Sequence, residues 1–212
     1  MNMRKFLVSA LVLVVAALAF TACGSCATAD DTAYAAGNEF YICISPTDDT
    51  LAANGPDFTR KYVARPGCSE HQTGLAIDLG KAAGKIDFIR PAFPHDGACG
   101  AFRRLAAQYG FIERYRREKE SLTGIAEEPW HFRYVGAPHA QLMESHGLCL
   151  EEYTALLRQG PRSCPLLDGR LAQVFYIPCT GGRTQIRLPE GCCQISGDNV
   201  GGFIVTAWGD PA

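Results

Sequence analysis

His71 and Asp78 stand seven residues apart on either side of Gly74, in a stretch that runs from Arg65 through Pro66, Gly67, Cys68, Ser69 and Glu70. Further along the chain, Glu128-Pro-Trp-His131 supplies a glutamate and a second histidine. Two imidazoles and one carboxylate are a three-ligand set for zinc, which in hydrolytic sites keeps a fourth position for water. A water held there has its pKa lowered towards about 7, so hydroxide becomes available at neutral pH. Glu128 lies three residues before His131 across Pro129, read as a turn, which puts a base near the metal without making it a ligand. Taken singly, a histidine is usually a surface or core residue and an aspartate after an apolar run caps a strand. The combination points to a zinc hydrolase with ligands His71, Asp78 and His131 and Glu128 as general base.

The elements around these residues must bring them together. Leu75–Leu79 reads as a buried strand entered through Gly74. In one straight strand His71 and Asp78 would point to opposite faces, so a bend at Gly74 is needed for both to reach one ion. Phe40–Ile44 and Phe111–Tyr115 read as further strands, and Arg116–Ser121 as a charged turn. Gly97–Gly110 reads as a helix stopped by Gly110, with Phe102, Leu105 and Ala106 on one stripe. Trp130–Val135 alternates, placing Trp130, Phe132 and Tyr134 on one face and His131, Arg133 and Val135 on the other. Helices are expected near 139–145 and 150–158. After Pro161 come short β-type runs at Val174–Ile177, Thr184–Leu188, Cys192–Ile195 and Phe203–Trp208, separated by turn residues. The expected fold is α+β, an antiparallel sheet with segregated helices, followed by a small β-rich appendage over 165–212 that covers an edge of the catalytic domain.

The 212 residues carry a net charge of −2 and no Lys/Arg run, which argues against a nucleic-acid partner. Arg4 and Lys5 precede the apolar run Phe6–Phe20 and then Thr21-Ala22-Cys23. That run is short for a transmembrane helix, which needs roughly 20 apolar residues, and suits a signal peptide over 1–22. Small residues before Cys23 resemble a bacterial lipobox, with Phe20 where leucine is usual; lipid on Cys23 would anchor the chain to a membrane. Ordinary secretion with cleavage after Ala27-Thr28-Ala29 is the rival. Residues 23–40 are then a tether, 41–164 the catalytic domain and 165–212 the appendage. Ten cysteines fit an oxidising, extracytoplasmic location, the cell envelope. Cys23 and Cys26 at the leader boundary lack a second close pair at zinc-finger spacing. We expect a monomer.

Ser69-Glu-His71-Gln-Thr-Gly74-Leu-Ala76-Ile-Asp78 matches the Ser-x-His-x-x-Gly-x-Ala-x-Asp motif of LAS-type zinc peptidases, and Glu128-Pro-Trp130-His131-Phe-Arg133 matches their second motif. With Tyr134-Val135-Gly136 added, the chain most resembles the VanY-type D-alanyl-D-alanine carboxypeptidases, over residues 60–160. The resemblance implies the LAS-type fold, zinc on His71, Asp78 and His131, and Glu128 as base. It also implies removal of the terminal D-Ala from peptidoglycan stem peptides, whose precursors are then the partners. The same zinc set serves D,D-dipeptidases and L,D- or endopeptidases, and a non-hydrolytic zinc-binding module is the alternative from another class. Ser69 and Trp130 are candidate substrate contacts; local backbone bonding for the first and core packing for the second are the competing roles. His95, His139 and His146 lie outside both motifs and read as surface residues. One departure stands out. Related carboxypeptidases carry an upstream Ser-Gly-Tyr-Arg segment whose arginine stabilises the oxyanion, and 43–59 contains no arginine. Arg60, Arg65 and Arg133 are the available substitutes, or none serves.

Overall fold

The computed structural model describes residues 40–43, 61–62, 69–83, 86–87, 89–179, 181, 184–189 and 191–209. Residues 1–39, which would hold the expected leader, Cys23 and all but the last residue of the expected tether, lie outside them, as do Cys68, Arg60, Arg65 and the turn expected at Pro66-Gly67.

The first sheet has four antiparallel strands: β1 (Phe40–Cys43), β2 (Ala76–Lys81), β3 (Phe111–Tyr115) and β4 (Glu128–Tyr134), ordered β1-β2-β4-β3. Alternation decides its two faces. Ile77, Leu79, Phe111, Trp130 and Phe132 share a buried cluster with Phe93, Cys99, Phe102 and Ala106, so helix α1 (Gly97–Ala106) covers that side. Phe93, Phe102 and Phe132 meet edge-to-face at centroid distances of 5.0–6.0 Å, a geometry the ring quadrupoles favour. Asp78 and His131, paired across β2 and β4, point the other way.

The helix read over 97–110 ends sooner. It tightens into a 3-10 turn at Ala107–Tyr109, and Gly110 at φ 88° closes it, its N–H donating to the Ala107 carbonyl. A side chain at Gly110 would meet Tyr134 Cε2 at 2.7 Å and the Ala137 nitrogen at 2.9 Å, so the stop also seats the end of β4. The charged segment after β3 is a 3-10 turn (Arg117–Lys119) running into the short helix α2 (Glu120–Thr123). Helices α3 (Ala137–His146) and α4 (Leu150–Arg158) follow. The α4 start is capped by Glu152, which accepts from the Cys149 backbone N–H at 2.9 Å, and Glu151 adds negative charge where the helix dipole is positive.

A second antiparallel sheet is built from β5 (Arg162–Pro165), β6 (Leu171–Pro178), β7 (Cys192–Gly197) and β8 (Gly202–Trp208), ordered β5-β6-β8-β7. Cys164 and Val174 enter one buried cluster with Ile112 of β3, Ala140, Leu142 and Met143 of α3, and Tyr153 and Leu157 of α4. The β-run expected at Thr184–Leu188 is not a strand: 184–189 is irregular, and β7 starts only at Cys192. Its Pro189 and flanking glycines disfavour a ladder despite the alternation of Thr184, Ile186 and Leu188. Among the described residues, Cys99, Cys149, Cys164, Cys179, Cys192 and Cys193 are free thiols, the first three buried.

Candidate metal centre

Residues 70–73 form a single 3-10 turn that carries His71, closed by Gly74 at φ 69° with its N–H donating to the His71 carbonyl. Glycine is suited here because the left-handed conformation costs other residues roughly 1–2 kcal/mol. The turn folds His71 back over β2. Ser69, expected to share a face with His71 in extended chain, instead precedes this turn, and its carbonyl accepts from the Gln72 N–H.

Glu128 lies inside β4, not before a turn at Pro129. Glu113 pairs with Phe132 while Tyr115 pairs with Glu128, so β4 carries two more residues than β3 across this interval. Such an irregularity re-aims side chains. Glu128 and His131, an odd spacing apart, thereby reach the same side, with Glu128 Oε2 3.4 Å from His131 Nδ1.

His71, Asp78 and His131 each offer a ligand atom, all within 4.8 Å of one another. His71 Nε2 is 3.4 Å from Asp78 Oδ2, and His131 Nδ1 is 3.0 Å from Asp78 Oδ1. Tetrahedral ligands about 2.1 Å from zinc would be roughly 3.4 Å apart, close to these separations. His71 Nδ1 lies 3.2 Å from the Ala76 carbonyl, which directs its other nitrogen to the cluster. Asp78 Oδ1 is buried and makes no hydrogen bond, the vacancy in bonding that a cation satisfies. The donor set therefore fits zinc.

The charges agree. Burial opposes ionisation of Asp78, but the adjoining His131 and His71 outweigh it and hold the carboxyl down at about 2. Burial likewise opposes charging of His131, yet Asp78 and Glu70 push its pKa up to about 9, so the cluster draws positive charge. Glu128 is only 5 % exposed; burial raises its carboxyl to about 8, with Asp78 and Glu70 adding to the rise and His131 opposing it. A carboxylate so placed is a ready proton acceptor and donor near neutrality.

Three residues that motif reading did not single out complete the surroundings. Arg114, buried, donates from Nε to Glu70 Oε1 at 2.9 Å and grips both carboxylate oxygens of Glu151 at 3.1 and 2.7 Å. The Tyr115 ring tilts against His131 at 4.9 Å, and Glu70 Oε2 lies 3.6 Å from His131 Nε2. Arg133 Nη1 is 3.4 Å from the same Glu70 oxygen, and its Nε donates to the Tyr134 carbonyl. Trp130, by contrast, sits in the core cluster with Ile77, Leu79 and Phe132, on the face turned from Asp78. Its bulk packs the sheet, and it is not brought beside the metal ligands. His95 and His146 are exposed as expected, whereas His139 is half-buried between α3 and the second sheet.

The family model described as VanY, D-alanyl-D-alanine carboxypeptidase, matches residues 46–137. A bifunctional D-Ala-D-Ala dipeptidase and carboxypeptidase, VanXYC of Enterococcus gallinarum, is 48% identical over 53% of this chain and 60% of its own length. A D-alanyl-D-alanine carboxypeptidase of Enterococcus faecium is 37% identical over 70% of this chain and 46% of its own length. This chain thus spans 60% or less of the length of these two curated relatives. The solved vancomycin-resistance D,D-dipeptidase VanXYg, in complex with a D-Ala-D-Ala phosphinate analogue, superposes with a TM-score of 0.77 at 44% identity, covering 93% of this chain and 80% of that one. With both motifs present and the ligand triad assembled, the chain belongs to the VanY family of D-alanyl-D-alanine carboxypeptidases.

Proposed function

We propose that this protein is a zinc-dependent D,D-carboxypeptidase that removes the terminal D-Ala from peptidoglycan stem peptides. The observation that carries the reading is the convergence of His71, Asp78 and His131, with Glu128 buried 3.4 Å from His131. Held by that triad, zinc would supply Lewis acidity that lowers the pKa of water and polarises a carbonyl. Glu128, buried 3.4 Å from His131, takes a proton from the attacking water and delivers it to the leaving amine. Asp78 contributes one negative charge to the ligand set, so the centre stays net positive. Ser69, at the mouth of the His71 turn, is the candidate contact for substrate polar groups.

Two other readings each have an observation behind them. The likeness to VanXYC and VanXYg favours a second activity on free D-Ala-D-Ala. A weakened enzyme is favoured by the arginines: among the described residues, Arg114 and Arg133 both turn to Glu70. Loss of one oxyanion donor costs about 100- to 1000-fold in rate. Signal peptide 1–22, lipid on Cys23, a cell-envelope location, the monomeric state and the division into a 41–164 catalytic domain and a 165–212 appendage belong to this proposal. Purified zinc-loaded protein should release D-Ala from UDP-MurNAc-pentapeptide. Release from the free dipeptide alone would replace the carboxypeptidase reading by a dipeptidase.

A further inference from the structure

We propose that Glu70 is a positioning residue for His131: with metal bound, its carboxylate accepts a hydrogen bond from Nε2–H and so commits Nδ1 to the metal. The inference rests on reading His71, Asp78 and His131 as a metal site. His131 has two distinguishable sides. Nδ1 faces Asp78 Oδ1 at 3.0 Å and Glu128 Oε2 at 3.4 Å, the side on which the ligand atoms converge. Nε2 faces Glu70 Oε2 at 3.6 Å. Both atoms of this second pair are buried and neither makes a hydrogen bond, so Glu70 Oε2, an ion-pair neighbour of Arg133, is the acceptor that His131 Nε2 faces. A neutral imidazole that gives one nitrogen to a metal carries its proton on the other, and the acceptor of that proton fixes tautomer and ring orientation. The ring packs against His71 at 4.8 Å and Tyr115 at 4.9 Å.

Glu70 is itself held. Arg114 donates to its other oxygen at 2.9 Å, and Arg133 stands 3.4 Å from Oε2. Arg114 is in turn gripped through two bonds by Glu151 in the first turn of α4. A chain of alternating charge, Glu151–Arg114–Glu70–His131, therefore runs from a helix start to the ligand set. It places the orienting carboxylate in the residue next to His71, so one turn serves both imidazoles.

The test is zinc affinity of the folded full chain, measured by competition with a chromophoric chelator, together with the imidazole nitrogen–proton spectrum of the zinc-loaded protein. Glu70→Ala should bind zinc about 10- to 100-fold more weakly than wild type. Glu70→Gln, which keeps an acceptor oxygen at nearly the same place, should lose less. The spectrum should put the His131 proton on Nε2. Wild type that binds zinc, with a folded Glu70→Ala that binds it equally well, would overturn the positioning role and leave the metal reading intact. Wild type that binds no zinc would overturn the metal reading, and this inference with it. If the alanine variant fails to fold, the spectrum decides: a proton on Nδ1 of zinc-loaded His131 contradicts the proposal.

Discussion

At the scale of single residues, the site stores opposed protonation preferences that pH can read out. The Glu128 carboxyl is raised from 4.5 to about 8, chiefly by burial. Between those values the unfolded chain releases a proton that the metal-free folded protein keeps, so stability falls as pH rises. His131 acts in the same direction from 6.5 to about 9: burial opposes its charge, and Asp78 and Glu70 overcome burial. Asp78 and Glu70, both held at about 2 against the cost of burial, contribute stability above their ordinary range that is lost as pH falls towards 2. Metal-free protein should therefore melt at a higher temperature near pH 5 than near pH 9, followed by circular dichroism or calorimetry. Glu128→Gln, which cannot ionise, should flatten the part of that slope below pH 8. An unchanged slope would remove Glu128 as its source.

At the scale of elements, the geometry depends on two local departures from regular structure. One is the 3-10 turn closed by Gly74. Gly74→Ala, forced into the left-handed region, should lose roughly 1–2 kcal/mol in denaturant unfolding and should also weaken zinc binding, because His71 moves with the turn. The bend was legible beforehand, since an odd spacing between two ligands across a glycine requires it. The second departure, two extra residues in β4 opposite β3, was not legible. Bulges leave no composition signal beyond Pro129, and that proline reads more naturally as a turn. Helix α4 was legible to the residue because Leu150, Tyr153 and Leu157 recur at helical spacing between a cap and a polar end. Arg114 gave no signal. It looks like a solvent-facing residue of a short strand, and its partner Glu70 lies 44 positions away in sequence. Pairings of that range are products of tertiary structure, which periodicity does not report.

At the scale of the molecule, the two sheets are tied through α3 and α4. His139 Nδ1 meets the Tyr153 hydroxyl at 2.8 Å, and its Nε2 meets Thr206 Oγ1 of β8 at 3.0 Å. Read from sequence as a surface residue, His139 is a junction, and burial lowers its pKa from 6.5 to about 4. His139→Leu should cost about 1–3 kcal/mol in thermal or denaturant unfolding, since it strips two buried hydroxyls of a partner. A second tie runs from Arg158 at the end of α4 to Asp198, which also accepts from the Tyr176 hydroxyl at 3.0 Å. These contacts steady α4, whose Glu151 holds Arg114 behind the metal ligands, so the second sheet bears indirectly on the site. The proposed function is hydrolysis at the His71–Asp78–His131 centre with Glu128 as base. Its most direct test is mass spectrometry of UDP-MurNAc-pentapeptide after incubation with wild type and with Glu128→Ala at matched zinc content. Wild type should remove one alanine, and Glu128→Ala should do so at a rate lower by about 100-fold or more, the usual range for general acid–base catalysis. Equal turnover by the two proteins, or none by wild type on any cell-wall peptide, would contradict this function.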